Sequence, residues 1–131
     1  MKSNPVVHFE MPLKDKKRAS QFYSSVFGWE MKTMGEEYGG YVMAQTTETD
    51  ENGMVKTPGN INGGFWESKQ EGDIPHIVIS VDNLKETMEA IKSSGGEILD
   101  GLMDIKGVGQ FVMFKDSEGN HVGMLQPAQM P

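Results

Sequence analysis

The sequence repeats itself, and that repeat constrains the fold more than any other feature. His8 precedes Gly28 by 20 residues, and His76 precedes Gly96 by 20. Tyr41-Val42-Met43 is answered by Phe111-Val112-Met113. Gly59-Asn60-Ile61-Asn62-Gly63 is answered by Gly119-Asn120-His121-Val122-Gly123. Matches in the same order along the chain mean one supersecondary unit used twice.

Each copy reads as strand, helix, strand, strand, strand. Residues 6–11 alternate, with Val7, Phe9 and Met11 on one face and His8 and Glu10 on the other. Pro12 is expected to end that strand. Asp15 can cap a helix over 16–27, which Gly28 stops. Ala19, Phe22, Tyr23 and Val26 fall at i, i+3, i+4, i+7, a stripe expected to be buried. Further strands are expected near 29–33, 38–46 and 61–67. The polar stretch 47–60 reads as a mobile loop or an extended hairpin.

The second copy starts with a strand at 75–81. Ile77, Ile79 and Val81 share one face; His76, Val78 and Ser80 share the other. Asp82 or Asn83 caps a helix to about 94, with Leu84, Thr87, Met88 and Ile91 as its stripe. Strands follow near 97–99, 109–115 and 120–126, the last two joined by a turn at 116–120. Residues 67–73 read as a polar linker. The expectation is one α+β domain over 1–131, with one module at about 5–67 and the other at about 74–127. Two such βαβββ modules side by side would curl into a cup-shaped mixed sheet around a cavity, helices outside. A concave, mostly apolar cavity with a few polar groups is where a small organic molecule binds.

Composition narrows the partners. The formal net charge is −7, and the one dense basic run, Lys14-Asp15-Lys16-Lys17-Arg18, reads as the solvated start of a helix. That argues against nucleic acid, which needs a concentrated basic patch. No apolar run approaches the length of a membrane span. There is no cysteine, so thiolate chemistry and disulfides are excluded. No signal-peptide pattern precedes the first strand, and cytoplasmic residence is the default expectation. The 11 methionines read first as core filling.

His8-Phe9-Glu10-Met11-Pro12, Arg18-Ala19, Phe22-Tyr23 and Val26-Phe27-Gly28-Trp29 resemble the opening of the vicinal-oxygen-chelate superfamily, the glyoxalase, bleomycin-resistance and extradiol-dioxygenase group. The run His76–Leu84 is similar to the opening of its second module, and Asp116-Ser117-Glu118-Gly119-Asn120 to its closing hairpin. The resemblance covers nearly the whole chain. It implies paired βαβββ modules and a homodimer. It leaves the activity open, because the group includes lyases, epimerases, dioxygenases and non-catalytic sequestering proteins.

In the metal-dependent members, the ligands are a first-strand residue and a last-strand carboxylate from each module. His8 and His76 match the first-strand positions. The last-strand position falls on Gly123, and the repeat maps it onto Gly63. Glycine has no side chain to ligate with, and a catalytic metal needs about three protein ligands. The expectation is therefore no cofactor and no standard metal site. The ligand would be lined by His8, Glu10, Gly63, His76, Ser80 and Gly123. If a divalent metal is present, the fallback ligands are His8, His76 and Glu10, with Glu67 as a further carboxylate. Three readings stay open. One is a metal-independent protein that binds a small organic molecule. Another is a metal-dependent lyase, isomerase or dioxygenase. The third is an interaction module whose cavity is filled by its own methionines and aromatics. His121 is expected in solvent, and Trp29 and Trp66 in core or interface.

Overall fold

A computed structural model describes residues 2–128. Among them the chain forms nine strands and two helices, grouped into two compact units. One unit is His8–Pro75. The other takes residues from His76 onward together with those before His8.

The first unit contains β1 (Val6–Leu13, which begins two residues earlier in the chain), α1 (Lys16–Phe27), β2 (Glu30–Thr33), β3 (Val42–Gln45) and β4 (Asn62–Glu67). Its strand order is β2-β3-β4-β1, with β1 parallel to β4 and the other pairs antiparallel. Period-two alternation places Phe9, Met11 and Leu13 on the side of the core residues Val42, Ala44 and Phe65. Pro12 does not end β1. The strand continues to Leu13, whose carbonyl accepts from the Ser68 N–H at 2.8 Å. Proline lacks only a donor, so a position that serves the ladder by accepting tolerates it.

Asp15 caps α1 by accepting from the Arg18 N–H at 2.9 Å, and Gly28 ends it at φ 71°. The stripe is buried only in part. Ala19 and Tyr23 pack on the core, but Phe22 and Val26 are 53% and 56% exposed. Tyr23 is the reason: its ring stacks on Trp29 at 4.8 Å and lies 5.2 Å from Phe65. The helix rests on the sheet through that aromatic layer, along a line too narrow to reach Phe22 and Val26.

The strand expected from residue 38 begins only at Val42. A 310 turn at Glu36–Tyr38 precedes it, and Gly39 and Gly40 follow at φ 66° and 73°. That left-handed backbone is incompatible with a strand. Residues 46–61 form an extended hairpin. Thr49 bridges Val55, and Asp50 accepts from the N–H groups of Asn52 and Met54 at 2.8 and 3.0 Å. Asn62 clamps the base by accepting from Thr46 and Thr47 at 2.8 and 3.1 Å.

The second unit contains β5 (His76–Ser80), α2 (Leu84–Ser93), β6 (Glu97–Ile98), β7 (Met103–Ile105), β8 (Gly109–Lys115) and β9 (His121–Pro127). β5 is parallel to β9, β9 antiparallel to β8, and β6 and β7 both pair with β8. β7 was not foreseen. It and β6 line successive stretches of β8, so they are one edge strand interrupted at 99–102, and the βαβββ order holds. Asn83 is the α2 cap, accepting from the Glu86 N–H at 3.0 Å. The Gln126 side chain accepts from the Leu84 N–H at 2.8 Å. Val81, Leu84, Val112 and Met124 form the core beneath the helix.

Strand register corrects the repeat by one residue. Glu10 lies opposite Gly64, and Met43 also lies opposite Gly64. Val78 lies opposite Gly123, and Met113 also lies opposite Gly123. The partner of Gly123 in the first copy is therefore Gly64, not Gly63. Phe65 and Met124, the next residues, are both core, 2% and 1% exposed. The hairpin at 46–61 caused the slip. The true counterpart of Asp116–Asn120 is Asp50–Met54, which has the same Asp-anchored turn.

Candidate functional site

The helix-free face of the first unit carries a connected polar group. His8 and Glu10 are two apart on β1 and point the same way. Tyr41 stands between them. Its Oη donates to Glu10 Oε2 at 2.9 Å and lies 3.0 Å from His8 Nε2. The phenol proton is directed at the carboxylate, so the His8 contact requires Nε2–H as donor. The chain of bonds runs from imidazole to phenol to carboxylate.

Local sequence builds this arrangement. Gly39 and Gly40 turn the backbone so that Tyr41 enters just ahead of β3. The Met34 N–H fixes it by donating to the Tyr41 carbonyl at 2.7 Å. Gly64 provides the room: a Cβ there would collide with the Tyr41 ring and hydroxyl. Burial, and then the Glu10 charge and its hydrogen bond, push the Tyr41 phenol far above the ordinary tyrosine range. Tyr41 is thus a firmly neutral donor.

Tyr41 was missed as a site residue. The available signal was the pairing of Tyr41 with Phe111 in the repeat: the two copies differ there by one hydroxyl. Because Val42 is a core residue, its neighbour Tyr41 had to face the side of His8.

The expected lining residues divide as follows. His8 and Glu10 are brought together through Tyr41. Gly63 is corrected: it pairs with Phe9 on the helix-covered side, and a Cβ there would strike the Phe9 ring. Gly64 takes its place on the polar face. His76, Ser80 and Gly123 belong to the second unit. His76 is half-buried at the start of β5. The space beside Gly123 is filled by Phe111, 2.7 Å from where a Cβ would stand, and by Met113 at 3.3 Å. His121 is exposed, as expected. Trp29 packs with the core aromatics, and Trp66 is half-buried at the end of β4.

The two units place different chemistry on the same scaffold. Where the first has Glu10, Tyr41 and Gly64, the second has Val78, Phe111 and Gly123. Both last-strand positions that would carry a metal-binding carboxylate are glycine, and each is covered by an aromatic side chain. Among the described residues, no three His, Asp or Glu side chains are grouped to hold a metal ion. The residues present do not fit a site of two histidines and two carboxylates.

Paired βαβββ units with a helix on one sheet face and polar groups on the other define a class of small α+β proteins. The chain belongs to the Glyoxalase/Bleomycin resistance protein/Dioxygenase superfamily, whose family model matches residues 6–124. A glyoxylase-like domain-containing protein of Didymella fabae is 32% identical over 116 residues, 85% of this chain and 84% of that one. A probable lactoylglutathione lyase of Vibrio parahaemolyticus is 27% identical, covering 98% of this chain and 95% of its own. In fold, the chain is similar to a methylmalonyl-CoA epimerase variant of Streptomyces coelicolor bound to 2-nitronate-propionyl-CoA. That likeness has a TM-score of 0.69 at 16% identity and covers 95% of this chain and 97% of that one. A hypothetical protein of Bacillus halodurans C-125 gives 0.70 at 14% identity, covering 99% of both chains.

Proposed function

We propose that this chain binds a small organic molecule at the face carrying His8, Tyr41 and Glu10, without the superfamily's two-histidine, two-carboxylate metal site. The contrast between the repeat's two copies carries this reading. The fold accepts Val78 and Phe111 where the first unit has Glu10 and Tyr41. Folding alone therefore does not require a carboxylate and a phenol there. Setting a phenol into a half-buried site carries a desolvation cost, offset only in part by its hydrogen bonds. A polar group the scaffold does not need, tied together by hydrogen bonds on the helix-free sheet face, is what ligand recognition uses.

A thermal-shift screen of organic compounds tests this. Hits that raise the melting temperature of the wild-type chain, and lose the effect in Tyr41→Phe, support it. A screen in which divalent metals stabilise and no organic compound does would sink it. That result would favour the alternative of a metal-dependent lyase, isomerase or dioxygenase, with His8, His76 and Glu10 as ligands. The same proposal includes a cytoplasmic homodimer. Phe22, Val26 and Phe27 on α1 are 53%, 56% and 59% exposed, apolar surface that a second copy would cover. Light scattering at micromolar concentration checks the dimer.

A further inference from the structure

We infer that the first unit has a further binding site on its helix-covered side, a cavity that takes a small organic anion with an apolar body. The cavity has a volume of about 450 Å3 and opens where β1 ends and α1 begins. That volume is within the range of small-molecule sites. Leu13 and Phe65, 5% and 2% exposed, are its buried wall, and Met11 and Tyr23 continue the apolar lining. Lys14 and Arg18, both exposed, stand at its mouth. Strand alternation turns Met11 and Leu13 away from His8 and Glu10, so this site is separate from the polar face. Among the described residues, neither Lys14 nor Arg18 is paired with a carboxylate. Asp15 also borders the cavity, but its Oδ1 accepts from the Arg18 N–H at 2.9 Å, and the two cations outweigh it.

The second copy shows that folding does not need this charge. Asp15 and Asn83 cap their helices in the same way, each accepting from the N–H three residues on. The caps make Arg18 equivalent to Glu86, and Lys14 equivalent to Asp82. The counterpart cavity beside α2, about 490 Å3, has Ile79, Val81, Ile91 and Met124 in place of Met11, Leu13, Tyr23 and Phe65. Both copies thus keep an apolar hollow between helix and sheet, and the charge beside it is reversed. In the second copy Asp82 is matched within the chain by Lys2, 2.9 Å away. In the first copy the cations have no such match. A guanidinium and an ammonium beside an apolar wall fit a carboxylate on a hydrocarbon or aryl body. Phe22 forms the outer lip and is 53% exposed, so a second copy seated on α1 is the competing occupant.

Isotope-labelled full-length protein titrated with hexanoate, hexanol and hexylammonium separates the outcomes. Hexanoate is expected to move the amide signals of Leu13, Ala19 and Phe65, binding roughly tenfold tighter than hexylammonium. Lys14→Asp combined with Arg18→Glu installs the charges of the second copy and should reverse that order, with hexanol binding little changed. An acidic residue in the first turn favours a helix, so this variant keeps α1. The hexanoate shifts should persist in Tyr41→Phe, which separates this site from the polar face. Hexanoate and hexylammonium binding alike, or hexanoate leaving those signals in place, overturns the assignment and leaves the polar-face reading standing. Shifts that track protein concentration rather than hexanoate also overturn it, and mark a second copy as the occupant.

Discussion

At the residue scale, the Tyr41 hydroxyl decides most. Removing it in Tyr41→Phe takes away the hydrogen bond that the half-buried Glu10 accepts from it and the oxygen that His8 contacts. The expected loss is about 1–2 kcal/mol of stability, measured by urea unfolding. The fold should survive, because Phe111 occupies the matching place in the other unit. Alkaline pH gives a second readout. Below about pH 10 the phenol is neutral whether the chain is folded or not, and its contribution is intact. Above that, the unfolded chain ionises while the folded one holds its proton, so stability falls by at most about 1.4 kcal/mol per pH unit. Tyr41→Phe should flatten that fall. Gly64→Ala forces the Tyr41 ring away and breaks both of its hydrogen bonds; about 1–3 kcal/mol is expected. Gly123→Ala displaces only the ends of Phe111 and Met113 and should cost less, by the same measurement. His8 and Glu10 were legible in the sequence because strand alternation fixes a shared face. Tyr41 was hidden because its position depends on two glycines ahead of it and a third across the sheet.

At the element scale, strands and helices followed from periodicity, but register did not. Gly59-Asn60 and Gly119-Asn120 look alike in letters, yet only the second pair turns a hairpin between paired strands. The turn that corresponds physically is the Asp50 one, recognisable by what its carboxylate accepts rather than by neighbouring letters. The exposure of Phe22 and Val26 was equally illegible, because it depends on how far Tyr23 props α1 from the sheet. The closing hairpin supplies its own test. The Asn120 side chain first, then the backbone N–H groups of Asn120 and Glu118, hold the Asp116 carboxyl below the usual range. Its contribution is present above about pH 4 and is lost as pH falls through the lowered value. In Asp116→Ala, amide exchange at Glu118 and Asn120 should accelerate, with the acid dependence of that exchange gone.

At the scale of the whole molecule, the repeat revealed the architecture, and its divergence marks the face proposed to bind a ligand. Zinc or nickel at tenfold excess should leave the melting temperature within about a degree of its metal-free value, since a site needs some three ligands and the last-strand positions supply none. The hairpin between β3 and β4 has a further consequence. Met54 at its tip is 64% exposed, and the Asn62 clamp and the β3–β4 ladder lie below it. A protease should cut there first. The severed polypeptide would still migrate as a single particle in native gel filtration, and its fragments would part only in denaturant. The connection at that tip is thus a dispensable covalent tether, open to insertion of a reporter peptide.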